Sequence, residues 1–195
     1  MDFRTEKQAL KRVMHDFAES YKIHKENEMR KAQARLKPGE KLPAALDGGI
    51  FYDVEEKTAF AGEVLELVRK AREAVAAMRS KVNAEKAVAP SAEAAAVVSV
   101  MQNRGNVSKD ELDAMIETYG SNYLFYNAMR DVADKNGYKH LYPESVLDDF
   151  TRDVDALEQT VNKTFTVHSA ETGHASPAYA AFFEMSIDNA LQEES

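Results

Sequence analysis

Phe3, Leu10 and Phe17 stand seven residues apart, and Val13, Met14 and Tyr21 fill the same stripe. That spacing predicts one long helix over about 3–36. Beyond Ile23 the stripe fades into the polar run HKENEMRKAQARLK, as on a helix that projects into solvent or lies against a partner. Lys37-Pro38-Gly39 ends it, because proline cannot continue a helix and glycine accepts the left-handed cap. The next stretch, KPGEKLPAALDGGIFYD, carries two prolines and three glycines and reads as a loop. Its Leu42, Leu46, Ile50 and Phe51 predict that it packs on the helices.

From Asp53 to about Ala89 a second long helix is written. Val54, Ala61, Val68, Val75 and Val82 repeat every seven residues, with Val64, Ala71 and Met78 at the other seam position. A Val/Ala seam suits close helix–helix approach. The two long segments predict an antiparallel hairpin, or a coiled coil that pairs with another chain through Ala61, Val68, Val75 and Val82. Gly62 interrupts the pattern at about 1 kcal/mol relative to alanine.

Ala89-Pro90-Ser91 marks an internal boundary. Ala94, Val97, Val98 and Met101 give a short helix that ends at Arg104-Gly105-Asn106. Ser108 with Glu111 forms a capping box for the next, whose stripe is Leu112, Met115, Ile116 and Tyr119. Gly120 stops it, and Ser121 or Asn122 caps a third with Leu124, Phe125, Ala128, Met129, Val132 and Ala133. Pro143 opens a fourth segment to about Phe165, with Val146, Leu147, Phe150, Val154, Leu157 and Val161 inward. TVHSAETGHAS reads as a polar tether. Ser176-Pro177 then starts a last amphipathic helix bearing Tyr179, Phe182, Phe183, Ile187, Ala190 and Leu191. No stretch alternates long enough for a strand. The expectation is an all-α protein divided as 1–89 (hairpin or coiled coil), 90–165 (compact helical unit) and 166–195 (tether and amphipathic helix).

Composition narrows the chemistry. The chain has no cysteine, which removes disulfides, thiol catalysis and thiolate metal sites. The N-terminus has no apolar run of a secretory signal, and nothing approaches a membrane span, so a cytoplasmic location in a host cell, or one in a virion, is expected. Residues 1–50 carry 11 Lys/Arg against 8 Asp/Glu, whereas 138–195 carry 3 against 11. A basic front and an acidic rear suit contacts between copies. An acidic chain with net charge −8 is a poor nucleic-acid binder.

Motifs for catalysis are missing: there is no HExxH, no phosphate loop and no GxSxG. His15/Glu19 and His24/Glu28 have i, i+4 spacing, but two ligands on a charged helix read as solvated pairs rather than a metal site. Asp148-Asp149 and Asp153/Asp155 read as an acidic face. No catalytic residue, cofactor or metal is expected. Lys22 to Lys41 reads as a basic segment that is solvated, pairs with the acidic C-terminal third of another copy, or meets nucleic acid or another anionic surface; the acidic tail Gln192-Glu193-Glu194 can approach it.

Candidate partner residues follow from residue type. Tyr123 and Tyr126 flank the inner face of their helix with Arg130 beside them, and Tyr and Arg are enriched in binding hot spots. Tyrosine equally fills the margin of a small core. Tyr179, Phe182, Phe183 and Ile187 make the last helix a second candidate, expected to dock on the N-terminal helix or a neighbouring copy.

The stretch NVSKDELDAMIETYGSNYLFYNAMRDVADKNG, within about 90–137, resembles small helical proteins encoded in phages and prophages of Gram-positive bacteria. They share a capped segment of the form ELxxLxxxYxGNYxxxxAL. Glu111, Leu112, Tyr119, Asn122, Tyr123 and Ala128 occupy comparable places, although Gly120 here precedes Ser121. The resemblance implies a role in particle structure or assembly. The function expected is therefore a non-enzymatic, self-associating protein with protein partners; the alternative is a regulatory module that captures a host or nucleic-acid-associated partner.

Overall fold

The heptad stripes become two long helices, α1 (Arg4–Ala34) and α2 (Val54–Lys86). After them come α3 (Ala92–Asn103), α4 (Lys109–Tyr119), α5 (Tyr123–Lys135), α6 (Val146–Thr164), the single turn α7 (Val167–Ser169) and α8 (Pro177–Asn189). The computed structural model describes residues 1–192, and of residues 45 and 47 the backbone only. Helix accounts for 76% of it, and no strand occurs among the described residues. The chain is all-α.

Two compact units divide the fold otherwise than the sequence predicts. One holds 1–78 with 153–192, the other 79–152. The boundaries expected at 89/90 and 165/166 are thus corrected. Ala89-Pro90 punctuates the helices without ending a unit. The rear of the chain belongs with the front, because the second half of α6 and α8 share a core with α1.

In the first unit α1 and α2 run antiparallel: Lys31 meets Asp53 and Glu56, His24 meets Glu56, and Ser20 meets Glu63. The core is aromatic. Phe17 lies 5.8 Å from Phe60 and 5.3 Å from Phe165, which lies 5.7 Å from Phe183. Phe51 of the connecting loop is buried against Phe60, as its apolar character predicts, while Ile50 stays exposed.

The predicted polar tether is a packed element. Thr166 and Ser169 form a reciprocal cap at α7, and a π-helical turn at Ala170–His174 follows. Thr164, Ser169, Ala170 and Ala175 are buried. The hydroxyls make local hydrogen bonds that a reading by polarity takes for solvation. Phe51 N and Lys57 Nζ donate to Glu171 Oε1 at 3.2 and 2.9 Å, fastening the turn to the start of α2. At Gly49 an added Cβ would lie 2.2 Å from the Glu171 carbonyl oxygen, so only glycine permits this approach.

The second unit packs Met101, Val107, Leu112, Phe125, Met129 and Val132 into its own core. Its punctuation is as expected. Ser91 caps α3, Ser108 and Glu111 form the capping box of α4, and Asn122 caps α5 through Phe125 N at 2.9 Å. Of the apolar positions of α5, Phe125, Met129, Val132 and Ala133 are buried and Leu124 is exposed.

Candidate functional site

The tyrosine patch on α5 turns inward. Tyr123 Oη donates to Asp148 Oδ1 at 2.8 Å, and Lys86 Nζ sits 4.8 Å over the Tyr123 ring while pairing with Asp148 at 2.7 Å. Tyr126 Oη donates to the Pro143 carbonyl at 2.9 Å and Arg130 Nε to the Tyr142 carbonyl at 3.1 Å. The three side chains fasten residues 142–148 to α5. Burial pushes the Asp148 carboxyl up, but hydrogen bonds from Lys86 and Tyr123 win and hold it below the usual range. Asp148 is therefore an anchor, and the polar ends of Tyr123, Tyr126 and Arg130, half-buried candidates for a partner surface, are engaged within the unit.

The heptad seam of α2 splits along its length. Val54 is 77% exposed, Ala61 and Val68 are half-buried, and Val75 and Val82 are buried. An α-helix drifts about 20° per heptad against a strict seven-residue repeat, about 80° over these four heptads. The stripe therefore starts outside the core and ends inside it. The buried line is Phe60, Val64, Leu67, Ala71, Ala74 and Met78, which follows mixed three- and four-residue steps. Leu65, 73% exposed, extends the outer stripe between Ala61 and Val68, and a reading fixed on sevens passes over it.

The C-terminal helix divides its candidates. Phe183 and Ile187 enter the core, with Leu191 beyond them. Tyr179 is half-buried, exchanges a hydrogen bond with Thr164 Oγ1 at 3.0 Å and meets the His174 ring edge-on at 4.2 Å. Phe182 alone of the four candidates projects outward, 58% exposed, with Met185 at 53% three residues on. The helix docks on α1, as one of the expectations has it. Asp188 Oδ2 takes Lys11 Nζ at 2.7 Å, and Lys7 Nζ donates to the Asp188 carbonyl at 3.2 Å. Glu193 and Glu194, expected to reach the Lys22–Lys41 segment, lie outside the described residues. That basic segment turns instead to the loop and α2: Lys25 pairs with Glu28 and donates to the Ile50 carbonyl at 2.9 Å, and Lys31 meets three carboxylates.

Beside α8 lies an open groove of about 1170 Å³. Part of its lining is apolar, with Ala18 and Met29 from α1, Ala175, and Ala180 and Ala181 from α8; Lys22, Lys25, Glu26 and Glu184 stand among its charged residues.

The fading of the α1 stripe proves to be a change of chemistry. Ser20, His24 and Glu28 continue the line of Leu10, Met14 and Phe17 and are buried. His24 is thus not the solvated partner of Glu28. Its Nδ1 lies 2.8 Å from Glu56 Oε2 and its Nε2 3.2 Å from Glu63 Oε1. Ser20 Oγ donates to the same Glu63. The Lys31 ammonium, then His24, hold the Glu56 carboxyl below the usual range, and the Ser20 hydroxyl leads the same effect at Glu63. The ring nitrogens point at separate carboxylates, so the donors do not converge on one point as metal ligands must. No group of three His, Asp or Glu among the described residues is placed to hold a metal ion. His15, by contrast, stays on the surface beside Glu19 at 3.6 Å. Spacing at i+3 and i+4 from Phe17 was the available sequence signal, and polarity concealed it.

No helix of the described residues is long and apolar enough to cross a membrane. No family model, curated protein or solved structure matches this chain. Phe182 and Met185 of α8 and Val54 and Leu65 of α2 are among its exposed large apolar side chains.

Proposed function

We propose that this chain is a non-enzymatic helical assembly protein that works by joining copies of itself. The observation that supports this reading is the outer side of α8, where Phe182 and Met185 project while Ala180 and Ala181 of the same helix wall the open groove. A two-fold contact needs one patch that carries both a projection and a recess. Small groove residues let a second helix approach closely, and Lys22 and Glu184 in the groove offer opposite charges to a symmetric copy. The resemblance of residues 90–137 to phage-encoded helical proteins points to the same class, a particle or assembly component in a host cell or virion. Light scattering across a concentration series tests it. The wild-type chain should exceed its monomer mass of 21.8 kDa, and Phe182→Asp should lower the mass while leaving the melting temperature in place. A wild-type chain that stays monomeric at every concentration would refute the reading. If it binds some other protein while monomeric, the groove belongs to a capture module.

A further inference from the structure

We infer that α8 is an exchangeable helix: in concentrated protein it leaves its place on α1 and fills the same place on a second copy, whose own α8 returns the exchange. The occupant is fixed by the fold, because the place is the one α8 already fills in its own chain. Phe183 and Ile187 are buried there, with Leu191 beyond them. Lys11 Nζ pairs with Asp188 Oδ2 at 2.7 Å, Lys7 Nζ donates to the Asp188 carbonyl at 3.2 Å, and Leu191 N donates to Asp153 Oδ2 at 2.6 Å. A second copy offers every one of these partners unchanged. Exchange therefore forfeits none of them, and the connection into α8 decides whether it occurs.

The joint lies between two fixed points. Before it, Glu171 is held by Phe51 N at 3.2 Å and Lys57 Nζ at 2.9 Å. After it, α8 carries its own cap, since Ser176 Oγ accepts from Tyr179 N at 3.3 Å and Pro177 opens the first turn. The helix therefore moves whole. Between these points Thr172 and Gly173 are exposed. The chain crosses the gap in a π-helical turn, a rare geometry, and reverses at Gly173, where φ is 103°. Short connections held in an unfavourable geometry invite exchange between copies. An opened joint needs no reversal, and glycine takes an extended form as readily as the left-handed one. The exchange deepens the proposed assembly role and rests on it: the exchanged α8 is one joint between copies, and its outer side, with Phe182 and Met185, is the other.

The chain has no native cysteine, so introduced thiols report alone. Lys11→Cys and Asp188→Cys proteins, concentrated together and treated with a short bismaleimide, should give a mixed 11–188 dimer faster than either protein gives a dimer by itself. An absent mixed product, or equal rates in the single proteins, would overturn the exchange. At Gly173 an added Cβ meets nothing within 4 Å, but a side chain disfavours the left-handed reversal. Gly173→Ala should therefore shift the balance between monomer and dimer at least several-fold toward the dimer. A glycine with a merely structural role would lower the melting temperature and leave that balance unmoved, which would overturn the joint. In the Phe182→Asp background the mixed product should persist, and its loss there would overturn the exchange as a contact separate from the outer side of α8. A wild-type chain above its monomer mass with no mixed product overturns the exchange and leaves the outer-side contact standing. A mixed product with a mass that Phe182→Asp does not lower overturns the outer-side contact and leaves the exchange standing.

Discussion

Glu111 shows how much one side chain can hold. Its Oε2 accepts from Ser108 N at 3.0 Å while Ser108 Oγ accepts from Glu111 N at 3.3 Å, and Arg104 reaches Oε1 at 2.7 Å. The Ser108 amide, then Arg104, hold the Glu111 carboxyl down to about 2. A depressed carboxyl pKa contributes stability above its unfolded value near 4.3 and loses it as pH falls toward the folded value. A carbon-detected NMR titration should therefore find Glu111 still ionised at pH 3. Ser108→Ala should cost about 1 kcal/mol in thermal melts. Glu28 is the deeper case. It is buried, its Oε1 accepts from Tyr52 N and from Asp53 N at 2.6 Å, and its Oε2 pairs with Lys25. Glu28→Ala removes the acceptor that fastens the loop and the start of α2 to α1 and takes the carboxylate from Lys25, so a loss of about 3 kcal/mol is expected in denaturant titration.

Among the helices, α8 gives the sharpest contrast between adjacent residues. Phe183→Ala should destabilise by about 3–5 kcal/mol through the cavity left beside Phe165. Phe182→Ala should stay within about 0.5 kcal/mol in the monomer. Calorimetry of the pair checks the assigned face. The sequence was enough to write nearly every helix and its caps, because capping and glycine punctuation are local chemistry. It left the facing of α5 open, since Leu124 and Phe125 are equally apolar and only the third dimension selects between them. It read 166–176 as a tether because hydroxyls that bond to their own backbone look like hydroxyls that bond to water. The candidate surface was half legible: Phe182 by residue type, but not Met185, and Val68 but not Leu65. Periodicity marks a face without saying on which side of it the rest of the chain will lie.

At the level of the whole molecule, acid is the informative perturbation. Asp53, Glu56, Glu63, Asp148 and Glu171 all titrate below their ordinary values in the fold. The unfolded chain then binds more protons in acid than the folded one. The melting temperature should be nearly flat from neutral pH to about 5 and fall steeply below about 4. A melting temperature indifferent to acid would contradict the ion pairs described. The α1–α2 hairpin adds a different consequence. Midway along α1 it is joined by Phe17 with Phe60 and Phe165, and toward the connecting loop by Lys31 among Asp53, Glu55 and Glu56. Burial of rings weakens on cooling, whereas accessible ion pairs weaken with salt. Two stretches of one hairpin therefore answer to different conditions: chilling loosens the aromatic stretch around Phe17 first, brine the charged stretch around Lys31, and amide exchange along α1 would lose protection at a different place in the two cases.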